Sequence, residues 1–494
     1  MEIKAQQTSV IDVACDVLII NLFEGVKIPG GATGVVDNTL GGIITNYVIK
    51  EQGFSGKFAD TYVLDTNGKI PAKKVLIIGL GKQEDFDLNK LIILSSKMIR
   101  KCEGILNAKK IATILHGGGL AALDAKCCAK AITTGLMIGA YKFNKYKSEK
   151  QEDKSIDEVI IVEQDPAKVE KIKEGMANAK SVANAVNFAK DLVNEPASYM
   201  TPDRIAEIAT DMKKIETRII DEDEARQMGM GAFLAVGKGS SKSPVFIHMK
   251  YRPSKKKKSI AIVGKGITFD SGGLDLKPTA GMATMKGDMA GAACVLGVFK
   301  ALIELNPNVE VHGVIAACEN MPGSRAYKPG DILTAMNGKT IEVDNTDAEG
   351  RLTLADALSY AVDLNVDEVI DIATLTGACS VALGALNSGV FGNNRELIDD
   401  IIEASKQAGE HLWQMPMDEE YFEDLKSDIA DFKNSGSRGG GASGAALFLK
   451  QFVGEIPWVH LDIAGTSIIS KDLRENKKGP TGVGVRTLIN YICS

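Results

Sequence analysis

Positive charge is in short supply: 58 Lys and Arg face 64 Asp and Glu, for a net charge of −6. Holding phosphates needs the opposite balance, so nucleic acid is not expected as the main partner. No apolar stretch approaches the roughly 20 residues that cross a bilayer, so no membrane association is expected. Met1-Glu2-Ile3-Lys4-Ala5-Gln6 lacks the basic-then-apolar pattern of a signal peptide. The eight cysteines include no CxxC pair, and most sit in apolar runs such as Val314-Ile315-Ala316-Ala317-Cys318. They read as small buried hydrophobes of a reducing compartment, which makes the cytoplasm the expected location. His116, His248, His312, His411 and His460 form no HExxH spacing and are read as structural. No internal repeat is present.

What remains is an ordinary globular composition, 45% hydrophobic and 25% charged with 50 glycines, in a 494-residue chain long enough for two domains. Short β-branched or apolar runs at 17–22, 74–80, 109–115 and 158–162 alternate with helical patterns at 88–106 and 120–138. A Lys-rich stretch, 142–154, reads as an exposed loop. A long helical pattern from Pro166 stops at Asn194-Glu195-Pro196, because proline disfavours helix at the residue before it. A second series follows, with strands expected at 219–220, 259–263, 309–318, 368–373 and 458–461 and helices at 291–305, 352–362 and 442–452. The expected fold is α/β: two domains, each a mixed, mostly parallel sheet flanked by helices, joined by a long helix. The boundaries fall at 1–165 for the N-terminal domain, 166–195 for the linker helix and 196–494 for the C-terminal domain. The run Lys255 to Lys258 reads as a solvated hairpin turn.

The chemistry concentrates in the second half. Strand 259–263 runs into Gly264-Lys265-Gly266-Ile267-Thr268-Phe269-Asp270-Ser271-Gly272-Gly273, read as a glycine-dense turn. A phosphate loop is excluded there: GxxxxGK[ST] is missing, and Phe269 occupies the last glycine position of GxGxxG. Asp288 follows near the next helix, and Asp347 and Glu349, two apart before another helix, can point into one cavity. Taken singly, each acid could be a helix cap or turn former. Taken together at strand–helix junctions, where open α/β sheets place ligands, four carboxylates would repel one another unless cations stood between them. Two divalent ions roughly 3.5–4 Å apart would neutralise them and form a hydrolytic arrangement. Oxygen ligands suit Mn2+ and Mg2+, and Zn2+ also binds carboxylates.

The glycine-dense segment and Asn345-Thr346-Asp347-Ala348-Glu349-Gly350-Arg351-Leu352 resemble hallmarks of the leucyl aminopeptidase, or cytosol aminopeptidase, family. Similar stretches are Cys318-Glu319-Asn320-Met321-Pro322, Lys328-Pro329-Gly330-Asp331, Asn337-Gly338-Lys339-Thr340, Ala373-Thr374-Leu375-Thr376-Gly377-Ala378 and His460-Leu461-Asp462-Ile463-Ala464-Gly465. The resemblance runs from about Asn194 to the C-terminus; the first third, a macro-like α/β domain, matches only in length and character. It implies an exopeptidase that removes N-terminal residues, preferably Leu and other apolar ones, from peptides with a free amino end, in intracellular peptide turnover.

Residue by residue, the resemblance makes Lys265, Asp270, Asp288, Asp347 and Glu349 the ligands of two divalent ions, Mn2+ first and Zn2+ next. One site would use Lys265, Asp270, Asp288 and Glu349, and a more exchangeable one Asp270, Asp347 and Glu349. To ligate, Lys265 must lose its proton, which a neighbouring dication and burial favour. The implied catalytic pair is Lys277, stabilising the oxyanion, and Arg351, holding a bicarbonate that shuttles the proton. Arg351 itself stays protonated and is no base; its residue type leaves pairing with Asp347 or Glu349 equally open. Met285, Thr374, Gly377 and Ala464 would line the pocket for the first residue, with the backbone of Leu375 bonding substrate. Ser467 departs from the larger apolar residue expected at the pocket edge. The resemblance also implies a homohexamer, a dimer of trimers with N-terminal domains outward, and a secondary DNA-binding or regulatory role as the alternative. The stretch 435–441 reads as a loop that is either a lid or a plain connector.

Overall fold

A computed structural model describes residues 1–494 apart from 105, 119, 120, 122, 150–153 and 438. Parts of the expected loops 142–154 and 435–441, and of the helix expected at 120–138, therefore lie outside the described residues. The chain forms two compact units, Met1–Asn184 with Asp472–Lys477, and Ala185–Lys471 with Lys478–Ser494. The helix Pro166–Asn194 runs from the first into the second.

The first unit holds six strands: β1 (Glu2–Gln7), β2 (Val17–Phe23), β3 (Thr61–Asp65), β4 (Lys74–Gly81), β5 (Lys110–Ile114) and β6 (Glu158–Glu163). Their order is β1-β6-β5-β2-β4-β3, and every neighbouring pair is parallel except β3 with β4. The central strand β2 reads VLIINLF, the near-continuous apolar run of a strand covered on both faces. Its alternate residues separate accordingly: Val17 and Ile19 enter one apolar cluster, Leu18 and Ile20 the other. Helix Ala125–Gly139 is capped by the Asp124 carboxylate, which accepts from the N–H groups of Lys126 and Cys127. The late segment Asp472–Lys477 belongs here too, with Arg100 donating to the Glu475 carbonyl.

The second unit is built on an eight-stranded sheet: β7 (Glu216–Ile220), β8 (Val245–Tyr251), β9 (Lys258–Asp270), β10 (Val309–Asn320), β11 (Glu368–Ala373), β12 (Ser388–Gly392), β13 (Leu412–Gln414) and β14 (Trp458–Asp462). The order is β13-β12-β14-β11-β9-β10-β8-β7, with the four central strands β14, β11, β9 and β10 mutually parallel. Helices Ala290–Leu305 and Gly350–Asp363 pack against β9. Both units are thus mixed, mostly parallel sheets flanked by helices, the expected α/β class.

Two local expectations are corrected. The segment read as a glycine-dense turn is the continuation of β9, which stays paired with β10 as far as Asp270. Gly264 and Gly266 serve close packing rather than a turn: an added Cβ would stand 2.7 Å from the Gly291 carbonyl oxygen and 2.9 Å from that of Ala316. The turn begins afterwards, at Gly272 and Gly273, whose φ values of 88° and 67° suit glycine. Lys255, Lys256 and Lys257 are exposed and Lys258 opens β9, but the run is no hairpin, because β8 pairs with β10 and not with the strand that follows it.

Candidate metal centre

Parallel strands present their C-terminal ends on one side of a sheet, and the loops leaving those ends gather the charged residues. Asp270 closes β9, and Lys265 lies five residues earlier on the same strand. Asp288 follows the short helical turn Met285–Gly287, and Glu349 immediately precedes helix Gly350–Asp363, its carboxylate making no capping bond. Asp347 stands in the turn before that helix, its N–H donating to the Asn345 side chain over 2.8 Å.

These side chains converge. Lys265 Nζ lies 2.8 Å from Asp288 Oδ2 and 2.8 Å from Glu349 Oε1, and donates to the Thr374 carbonyl over 2.9 Å. Lys277 Nζ stands 2.9 Å from Asp270 Oδ2 and 2.5 Å from Asp347 Oδ1. Oxygens of Asp270, Asp347 and Glu349 lie within 4.8 Å of one another. Lys265, Asp270, Asp288 and Glu349 are buried, and Asp347 keeps 33% of its side chain exposed.

The charges do not balance. Four carboxylates share two ammonium groups, so with all of them ionised two negative charges are left over, at a site buried everywhere but at Asp347 and Lys277. Burial first, and then the neighbouring carboxylates, push the Asp288 and Glu349 carboxyls above their ordinary range; burial also raises Asp347. Burial works against the charge on Lys265, but Asp288, Glu349 and Asp270 outweigh it and hold the ammonium above its usual range. Lys277 is held up likewise by Asp270 and Asp347 against its own burial. Among the described residues, Glu349 Oε2 is buried with no hydrogen-bond partner, and no well-angled hydrogen bond reaches Asp288 Oδ2 or Asp347 Oδ1, although each of those two has a lysine within ion-pair distance. Unsatisfied buried carboxylate oxygens with surplus negative charge are a donor set suited to hard divalent cations.

Arg351 takes neither of the two ion pairs open to it. Its Nη1 donates to the Asn434 carbonyl over 2.8 Å, its guanidinium lies 6.0 Å from the Phe448 ring centroid, and its buried Nε has no hydrogen-bond partner among the described residues. Burial pushes this guanidinium down to about 10, with Glu349 and Asp462 pulling the other way, so it is charged at neutral pH. Thr374 joins the cluster directly, its hydroxyl donating to Asp288 Oδ1 over 2.7 Å. Met285 lies in the turn that ends at Asp288. The Leu375 N–H is committed to Asp462, and the N–H of Ala464 donates to the same carboxylate. Gly377 is exposed at the start of helix Gly377–Leu383, with open space where a Cβ would stand, and Ser467 is buried.

Several supporting residues were not singled out from the sequence. Asn320 donates to Asp270 Oδ1 over 2.9 Å, the Tyr327 hydroxyl donates to the Thr346 carbonyl over 2.7 Å, and Asp275 accepts from the Thr346 N–H. Asn320 and Asp462 both sit in motif stretches already quoted, which was the available signal. No described histidine joins the carboxylate cluster of the site: His248 bonds His312 across β8 and β10, His312 also reaches Glu310, and His460 bonds Asp371. A separate cavity of about 1010 Å³ in the first unit, bordered by Asn21, Gly30 and Gly31, contains none of the expected site residues.

A model of the cytosol aminopeptidase family's catalytic domain matches residues 187–489, and one of that family's N-terminal domain matches 19–150. The chain belongs to the cytosol aminopeptidase family. It is 44% identical over 498 residues to the probable cytosol aminopeptidase of Sulfurihydrogenibium sp. (strain YO3AOP1), covering 100% of this chain and 98% of the relative. A similar protein from Aquifex aeolicus is 44% identical over 452 residues, 90% of this chain and 89% of its own. Among solved structures, a tomato leucine aminopeptidase mutant superposes with a TM-score of 0.89 at 37% identity, covering 100% of this chain and 96% of the other. The bottromycin maturation enzyme BotP, in complex with Mn, gives 0.84 at 31% identity, covering 97% and 99%. As a cytosol aminopeptidase the chain is a metal-dependent hydrolase that acts on peptides at their amino end. The alternative DNA-binding role finds no support in these relatives. Among the described residues, no helix is long and apolar enough to cross a membrane.

Proposed function

We propose that the cluster around Lys265 holds two divalent ions, Mn2+ ahead of Zn2+, and that the chain cleaves N-terminal Leu and other apolar residues from peptides. The observation that carries this reading is the surplus of carboxylate over ammonium, with Glu349 Oε2 buried and without a hydrogen-bond partner among the described residues. Lys265, Asp270, Asp288 and Glu349 would hold one ion, and Asp270, Asp347 and Glu349 the other, with Asp270 and Glu349 common to both. Such ions supply Lewis-acid polarisation of a carbonyl and a lowered pKa for the attacking water.

The protein's own groups do the rest. With the ions in place the carboxylate surplus is neutralised, and a free α-amine in its neutral form would offer one ion a lone pair that an acylated nitrogen lacks, which favours a free amino end. Lys277, on a flexible stem and already turned into the site, stabilises the oxyanion of the tetrahedral intermediate. Arg351 keeps a buried N–H on its planar fork that no described residue pairs, and this edge suits a planar anion; bicarbonate there would accept the proton. Met285, Thr374, Gly377 and Ala464 line the first-residue pocket, where one methylene changes binding by only about 1–3 kcal/mol, so the preference is broad. The Leu375 N–H being taken, its carbonyl is the group left to bond substrate. We assign 196–494 as the catalytic domain, 166–195 as the linker helix and 1–165 as the N-terminal domain. The homohexamer follows from the family resemblance. A cytoplasmic site of peptide turnover fits six buried free cysteines and no disulfide among the described residues.

The test is hydrolysis of leucine p-nitroanilide and its N-acetyl counterpart, before and after chelation and with Mn2+ restored. Only the free-amine substrate is cut, chelation abolishes cleavage and Mn2+ brings it back. Equal turnover of the acetylated substrate would overturn the reading.

A further inference from the structure

Adjacent parallel strands end side by side, and the chains leaving them diverge, so two loops that form one pocket need something to hold them together. At the ends of β11 and β14, where Ala373 pairs with Asp462, the Ile463 N–H still donates to the Ala373 carbonyl, and beyond that bond the Asp462 side chain carries most of the link. Asp462 is 1% exposed. Its Oδ1 accepts from the Leu375 N–H at 3.2 Å and the Ala464 N–H at 3.1 Å. Its Oδ2 accepts from the Thr376 N–H at 3.1 Å and the Thr376 hydroxyl at 2.6 Å. The same hydroxyl accepts from the Cys379 N–H at 3.0 Å, capping helix Gly377–Leu383. The other flank of loop 374–376 is fixed from the carboxylate cluster, through Lys265 on the Thr374 carbonyl and Asp288 on the Thr374 hydroxyl.

We propose that Asp462 is a positioning residue that sets side-chain preference by holding the two pocket loops, 374–377 and 464, in one geometry. The inference rests on the pocket assignment made above. Three backbone N–H groups and a hydroxyl depend on this carboxylate, and no hydrogen bond or ion pair among the described residues joins it to Asp270, Asp288, Asp347, Glu349 or Lys277. Its own bonds fall on the pocket loops, and it reaches the carboxylate cluster only at second hand, through Thr374, so the pocket walls feel its loss before the ions do. An asparagine in its place offers one oxygen and one NH2 group, so one of the two donor pairs must face another donor.

The experiment uses the Mn2+-loaded enzyme and the ratio of kcat/KM for leucine p-nitroanilide to that for alanine p-nitroanilide. Asp462→Asn lowers this ratio about tenfold, the scale of discrimination an apolar pocket supplies, while the Mn2+ concentration for half-maximal activity stays at the wild-type value. A merely structural role would lower both substrates equally and leave the ratio unchanged, which overturns the proposal, as does a shift in Mn2+ requirement without a change in ratio. Should Asp462→Asn fail to fold, Thr376→Val and Thr376→Ser carry the test. Valine, lacking the hydroxyl, lowers the ratio, and serine, retaining it, restores the wild-type value; a folded Thr376→Val enzyme with the wild-type ratio overturns the proposal. Ala464→Val separates the two readings. If it changes the ratio and Asp462→Asn does not, the positioning role fails; if it leaves the ratio unchanged, the pocket assignment fails and takes the inference with it.

Discussion

Gly350→Ala probes whether Lys265 must occupy the place the structure gives it. Gly350 opens helix Gly350–Asp363 in backbone that alanine also adopts. A Cβ there would stand 2.6 Å from Lys265 Cε, 2.6 Å from Nζ and 2.9 Å from Cδ. Ordinary contact is about 3.5–4.0 Å, so the amine must retreat by roughly 1 Å. The end of a lysine is usually free to do so, but this one is 3% exposed and held by Asp288, Glu349 and the Thr374 carbonyl at 2.8, 2.8 and 2.9 Å. Alanine is also the better helix former by up to about 1 kcal/mol, so loss of fold is not the expected result. A displacement of about 1 Å at a catalytic constellation costs on the order of 10²-fold in rate. The assay is kcat/KM for leucine p-nitroanilide across a Mn2+ titration, with the thermal midpoint measured in parallel. The expected outcome is a fall of about 100-fold and a raised Mn2+ requirement, with a midpoint within a few degrees of wild type. Wild-type activity and wild-type metal dependence would refute the reasoning.

Other outcomes follow from the same geometry. Asp347→Ala removes a side chain already one-third exposed, so the variant folds with a wild-type circular dichroism spectrum yet loses hydrolysis at every Mn2+ concentration. Asp356 is buried in helix Gly350–Asp363, where its two oxygens accept the N–H groups of Phe233 and Met336, and burial pushes it up to about 7. Because this is a carboxyl raised above its unfolded value of about 3.9, the native state binds more protons between the two values. The Asp356 contribution to stability therefore rises as pH falls from about 7 toward 4 and is level above 7. Urea unfolding from about pH 8 to pH 5 should show wild type gaining on the order of 2 kcal/mol relative to Asp356→Asn. A difference that stays flat, or runs the other way, contradicts that assignment.

The parts of the fold legible in the sequence were those where burial makes composition uniform. The runs that became β2, β4, β5, β6, β11 and β14 are covered on both faces, and their apolar character needs no partner to be recognised. The strand β1 lies at the edge of its sheet and mixes exposed polar residues, so its sequence carries little strand signal; β3, at the other edge, is a five-residue Thr-Tyr-Val-Leu-Asp run too short to stand out. The extent of β9 was hidden for a different reason. Glycine marks both turns and close approach, and only the neighbouring chains at Gly291 and Ala316 decide between them. At the site, the acids stood out because Asp347 and Glu349 flank a helix start, whereas Lys265 reads as a solvated loop lysine until the strand carrying it is seen to be buried. The direction of the Arg351 guanidinium could not be read at all, since its partner Asn434 lies 83 residues away.

The account rests on the surplus negative charge of Asp270, Asp288, Asp347 and Glu349, and counting bound metal tests it most directly. Elemental analysis of Mn2+-equilibrated, gel-filtered protein should give about two ions per chain in wild type and about one in Asp347→Ala. Full leucine p-nitroanilide activity in a preparation with no bound divalent metal would contradict the account.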